Sequence, residues 1–164
     1  MVILGIDPGL DTTGYGLIDF GAGQYRVIEA GVVRSTAKLS LSERLGEIAR
    51  DISSVLAQFS PEGVAVEELY AHYNHPRTAI IMGHARGVIF LAAAQAGVPV
   101  YSYAATKIKK SLTGNGRATK LQMQRMVAST LNLSTVPQPP DAADALAVAL
   151  CHCRVLEVDE GVAV

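Results

Sequence analysis

Residues 1–6 place the hardest constraint on the fold. Five of the six are large and apolar, with Val2, Ile3 and Ile6 prominent. A continuous run of this kind reads as a strand buried on both faces, which requires a layer packed on each side of its sheet. Pro8-Gly9 then ends the strand. Asp7 occupies its last position. An unpaired carboxylate there costs on the order of several kcal/mol. Taken alone, Asp7 reads as the cap of the turn at Pro8-Gly9, a common use of Asp. It has company. Glu67 ends a second apolar run, and Asp141 and Asp144 open a helix near the C-terminus.

At 164 residues the chain is expected to form one domain over 1–156, with a frayed tail over 157–164. No signal peptide is expected, because the N-terminus runs straight into a strand. The uncharged run 87–106 is long enough to span a membrane, but Gln95, Gly97 and Pro99 interrupt it. Cys151 and Cys153 lie two apart on a helix and point in different directions, so a reduced, cytoplasmic protein is expected. Net charge is only −1, yet the charges are segregated. Residues 1–68 hold ten acids and five bases; residues 69–140 hold eight bases and no acid; residues 141–164 hold five acids and one base. A basic middle third is the electrostatic footprint of an anionic polymer; the bland alternative is a solvated face that lacks acids.

In chain order, strands are expected at residues 1–7, 12–18 and 24–34, forming an antiparallel meander turned by Gly21-Ala22-Gly23. A helix over 40–59 carries Leu45, Ile48, Ile52, Val55, Leu56 and Phe59 on one stripe, and Ser40 with Glu43 forms a capping box. The strand 64–67 follows a crossover helix and should lie parallel to the first. A helix over 74–96, a strand over 98–102 and helices over 103–112, 118–131 and 141–155 complete the chain. The order βββ-α-β-α-β-ααα makes an α/β fold with a mixed five-stranded sheet flanked by helices. Lys107, Lys110 and Arg117 point outward, Lys109 lies on a flank and Lys120 at a border, which makes them candidates for nucleic-acid contact.

Asp7 and Glu67 both sit at carboxyl ends of buried strands, the edge where open α/β sheets place their sites. Asp141 and Asp144 are three apart and share a helix face. They also fit an ordinary helix N-terminus, where acids are favoured. Three or four carboxylates without a His/Cys cluster suit Mg²⁺, with Mn²⁺ as a substitute, rather than zinc. Two such ions in one site activate water and stabilise the leaving oxygen in phosphodiester cleavage. A basic surround together with cations lets an acidic pocket approach DNA.

Four separate segments then resemble one family. Ile3-Leu4-Gly5-Ile6-Asp7-Pro8-Gly9 with Thr13-Gly14-Tyr15-Gly16, Val64-Ala65-Val66-Glu67-Glu68, Gly83-His84-Ala85-Arg86-Gly87, and Asp141-Ala142-Ala143-Asp144-Ala145-Leu146-Ala147 resemble the RuvC family in order and spacing. The resemblance runs from about Ile3 to His152. It implies a ribonuclease-H-like fold and a Mg²⁺-dependent homodimeric endonuclease. Such an enzyme resolves four-way (Holliday) DNA junctions by paired symmetric nicks, in recombination and repair, alongside the branch-migration proteins RuvA and RuvB. It implies that Asp7, Glu67, Asp141 and Asp144 are catalytic carboxylates holding two metal ions. It implies that Tyr70 lies against junction bases and that Lys109 and Lys120 lie near the scissile phosphate. Some relatives carry His where Asp141 stands.

Weaker signals point elsewhere. Gly14-Tyr15-Gly16 and Gly114-Asn115-Gly116 lack the rest of a phosphate-loop motif and read as turns. Cys151-His152-Cys153 lacks a second ligand pair for zinc and reads as ordinary helix. His72 and His75 read as solvated loop residues. Two rival functions remain: an actin-like ATPase fold, for which one domain is too short, and a junction-binding module without catalysis.

Overall fold

The computed structural model describes residues 1–69 and 76–162. Its centre is β1 (Val2–Asp7). β1 pairs antiparallel with β2 (Thr12–Gly21), which pairs antiparallel with β3 (Gln24–Arg34). On its other side β1 pairs in parallel with β4 (Gly63–Glu67), which pairs in parallel with β5 (Val100–Tyr103). The sheet order is β3-β2-β1-β4-β5, the mixed five-stranded sheet that the sequence predicts.

Period-2 alternation splits the central strands between two cores. Leu4, Ile6, Val64 and Val66 face α1 (Leu41–Phe59) and α2 (Pro76–Gln95), with Ile48, Ile52, Ala85 and Ile89. Ile3 and Ala65 face the other way. There they meet α3 (Ala105–Thr113), α4 (Lys120–Thr130) and α5 (Pro140–Val162) through Ile108, Met123, Leu146 and Leu150. This is why residues 1–6 are apolar on both faces. The Ser40–Glu43 capping box of α1 forms as expected, and Ser60, in the left-handed region at φ 44°, ends the helix.

α5 is the organising helix of the second layer. Between Asp144 and Arg154 it carries no formal charge, and Ala145 through Cys153 are all buried. Its alanines let it lie directly on the sheet. A Cβ on Gly5 would come 2.1 Å from the Ala145 carbonyl oxygen, and one on Gly14 would come 2.0 Å from that of Asp141. Gly14-Tyr15-Gly16 is therefore not a turn. It lies inside β2, and Gly14 is bare because a helix rests there. Gly114, by contrast, is a turn residue at φ 75° that closes α3.

Other expected boundaries move for local reasons. β5 begins at Val100, because Gly97 (φ 70°) and the Val98 N–H bond to the Ala93 carbonyl complete the end of α2 first. Tyr103 ends β5 rather than opening α3. α4 starts at Lys120 behind a capping box of Thr119 and Gln122. α5 continues to Val162, well past the expected end at 155, so residues 157–162 are helical rather than frayed. The base of the extension is tied down: Tyr25 Oη donates to Glu157 Oε2 at 2.7 Å, Arg154 Nη1 donates to the Ser111 carbonyl, and Val155 and Leu156 pack on the core.

α2 is long and apolar enough to cross a membrane by length and composition. Ala85, Ile89, Ala92 and Ala93 are buried in the core beneath α1. Its remaining apolar surface is an outward stripe, with Ile80 62 % and Leu91 57 % exposed.

Candidate active site

β1 and β4 run parallel, with Ile6 opposite Val66, so Asp7 and Glu67 emerge side by side at the same end of the sheet. Tyr103, at the end of β5, lies opposite Glu67. α5 enters over the same edge. Its first turn rests on Gly14, and Gly14 is the residue paired with Asp7 across the β1–β2 ladder. One bare strand position thus seats Asp141 next to Asp7, and Asp144 follows within the same turn of helix. The turn role considered for Asp7 falls to Thr13. This buried side chain donates to the Gly9 carbonyl at 2.6 Å and accepts from the Gly9 N–H at 3.3 Å.

The four carboxylates act on one another. Burial, then the charges of Glu67, Asp144 and Asp141, push the Asp7 carboxyl up to about 7, against a partial offset from Lys120. Glu67 is raised as well, by burial first and then by Asp144, with Lys109 and Lys120 opposing. Lys120 Nζ lies 2.8 Å from Asp144 Oδ2. Hydrogen bonding to Asp144 and the charges of Asp144, Asp141 and Asp7 hold the Lys120 ammonium above the usual lysine range. A cavity of about 210 Å³ opens here, walled by Glu67, Asp144, Lys109 and Lys120 on an apolar floor of Ile108, Met123 and Ala147.

This donor set fits hard divalent cations. All of the donors are carboxylate oxygens, their mutual repulsion leaves an excess of negative charge, and an ammonium already stands against one of them. Among the described residues no group of three or more His, Cys, Asp or Glu side chains is placed to hold a metal ion by itself. Mg²⁺ takes one or two carboxylates and completes its shell with water and substrate phosphate.

The remaining sequence candidates separate. Lys109 and Lys120 reach the cavity. Lys110 and Arg117 are exposed. Lys107 is exposed too, but its Nζ lies 4.9 Å from the centre of the Tyr103 ring. Tyr70, His72 and His75 fall outside the described residues. Cys151-His152-Cys153 is core: the thiols are buried, and His152 stacks on Tyr101 and shares a 2.6 Å hydrogen bond with Tyr103 Oη. Sequence reasoning missed Thr119 and Gln122, which fix the first turn of α4 and hence Lys120. The signal was present, since Thr-x-x-Gln is a capping-box spacing.

Comparisons with known proteins identify the family. Residues 3–152 match the family described as crossover junction endodeoxyribonuclease RuvC. The RuvC of Rhodopirellula baltica is 54 % identical over 149 residues, covering 91 % of this chain and 84 % of that protein. The RuvC of Alkaliphilus oremlandii is 43 % identical over 154 residues, covering 94 % and 93 %. Among solved structures, T. thermophilus RuvC in complex with Holliday junction substrate superimposes with a TM-score of 0.88 at 35 % identity, covering 96 % of each chain. The fold is the ribonuclease-H-like fold of that family, whose nucleases are metal-dependent in general. A nuclease family displaces the actin-like ATPase alternative. With residues 3–152 matched by the family, relatives up to 54 % identical over nearly the full length and a solved member superimposing closely, this chain belongs to the RuvC family of crossover junction endodeoxyribonucleases.

Proposed function

We propose that this chain resolves four-way DNA junctions, nicking two strands of like polarity by phosphodiester hydrolysis. One observation carries the proposal: Asp7, Glu67, Asp141 and Asp144, from three separate elements, converge at one sheet edge beside Lys109 and Lys120. Asp7, Glu67, Asp141 and Asp144 would hold two Mg²⁺ ions, or Mn²⁺ in their place. Bound there, the ions supply an activated water and charge stabilisation for the leaving oxygen. The chain's own residues do the rest. Glu67 and Asp7 are held rigidly at strand ends, and α5 orients Asp141 and Asp144 toward them. Lys109 and Lys120 bring positive charge to the cavity mouth, where a phosphate would otherwise meet only carboxylates. Lys107, Lys110 and Arg117 extend the basic surface along α3 and its following loop, and Tyr70 would stack on junction bases.

Support for the substrate comes from the T. thermophilus relative, solved with a Holliday junction. The enzyme would act as a homodimer, one site per strand, with RuvA and RuvB as partners by family resemblance, in the reducing cytoplasm suited to its two buried free thiols. The test is a labelled synthetic four-way junction incubated with and without Mg²⁺. Paired nicks should appear only with the metal. Asp7→Asn should abolish them while leaving junction binding largely intact, since that change removes a ligand and not the basic surface. Binding by the wild type without any metal-dependent nicking would make the chain a junction-binding module instead.

A further inference from the structure

Lys120 is in an unusual place. It occupies the first turn of α4, held there by the Thr119–Gln122 capping box. A cation at a helix N-terminus opposes the helix dipole, so helix stability does not account for it. Its partner does: the ammonium sits 2.8 Å from Asp144 on α5. Lys109 lines the same cavity but makes no ion pair among the described residues. The Lys120 side chain is 62 % exposed and that of Asp144 26 % exposed. The lysine therefore reaches in from solvent, and a pair this open is weak enough to exchange.

We infer that Lys120 is a placeholder cation, occupying the Asp144 carboxylate until a divalent metal ion displaces it. The inference rests on the four carboxylates being a metal site. Its physical basis is local neutrality. Four carboxylates at one sheet edge repel one another; Lys120 lies against Asp144, and its positive charge partly offsets theirs at Asp7 and, together with Lys109, at Glu67. A divalent ion needs the same oxygen and is repelled by an ammonium that stays. Metal and lysine are thus alternative partners of Asp144. The lysine, on a flexible and exposed stem, is left at the cavity mouth when the metal enters. Metal loading and presentation of a free positive charge at the mouth become one event.

The test is Mn²⁺ titration of the full chain without DNA, followed by the electron paramagnetic resonance of free Mn²⁺. Lys120→Met and Lys120→Gln should bind Mn²⁺ about two- to fivefold tighter than wild type, the range expected for losing one exposed ion pair. Lys120→Arg, which keeps the charge, should gain nothing. Asp7→Asn should weaken binding in every background. Binding that depends on Asp7 but is unchanged or weaker in both neutral variants would overturn the placeholder role alone. Wild-type binding indifferent to Asp7→Asn would overturn the metal site and the inference with it. Thermal melts in chelator establish that each variant is folded before it is titrated.

Discussion

Asp7 shows what the site costs the fold. In an unfolded chain it titrates at 3.8; in the folded protein burial and three neighbouring carboxylates push it up to about 7. Between those values the native state holds a proton that the unfolded state has lost. Stability therefore falls as pH rises from about 4 to about 7, and the full penalty persists above that. Asp7→Asn deletes the charge. In chelator its melting temperature should exceed that of wild type by several degrees near pH 8, and the difference should vanish near pH 4. A difference independent of pH would mean that Asp7 is not held against its neighbours. An inactive variant that is more stable than its parent is the expected behaviour of a site whose charges await a counter-ion.

At the scale of elements, the site depends on how closely α5 approaches the sheet. Gly14 permits that approach, and the Asp141 carbonyl fills the space a Cβ would take. Gly14→Ala must shift the first turn of α5 or bend β2. Overpacking of this kind costs about 1–3 kcal/mol, which urea denaturation would measure. Because the displaced turn carries Asp141 and Asp144, junction nicking should fall at least tenfold in protein that is still folded. Gly21→Ala is the control, since no atom lies within 4 Å of its added Cβ. Equal activity in the two variants would show that the seat of α5 does not set the carboxylate geometry.

At the scale of the whole molecule, the outer side of α2 carries an uncovered apolar stripe. Ile80, Gly83, Gly87 and Leu91 follow one another at helical spacing on the outer side of α2, and all four are exposed. A Cβ added at Gly83 or Gly87 meets nothing within 4 Å, so these glycines do not face the sheet of their own subunit. An apolar stripe floored by glycine suits close packing against a second copy of α2. Gly83→Leu or Gly87→Leu should shift the protein toward monomer in sedimentation at micromolar concentration, and should replace paired nicks by single ones. A monomer that still nicks in symmetric pairs would defeat the dimer. A dimer untouched by both substitutions would move the interface elsewhere.

Periodicity and punctuation alone determined much of this protein. The double-faced apolar run before Asp7, the capping box at Ser40 and the crossover to Val64 were enough for the βββ-α-β-α-β-ααα order and the parallel pairing of β1 with β4, because those features are local or follow from handedness. Asp7 and Glu67 stood out as well, since buried strand ends are poor places for idle carboxylates; Asp141 and Asp144, at a helix start where acids are ordinary, were singled out only by their spacing and by family resemblance. What the sequence left open depends on neighbours distant along the chain. The strand through Gly14-Tyr15-Gly16 was legible, but the reason its glycines are bare was not, because the helix that covers them arrives more than a hundred residues later. The continuation of α5 past residue 155 was not legible because the partners of Arg154 and Glu157, Ser111 and Tyr25, lie on α3 and β3. Lys120 looked like a border residue because its partner sits on another helix. Local backbone preference is written in adjacent residues; close approach, helix-to-sheet anchoring and the pairing of one lysine with one carboxylate exist only once the layers have packed.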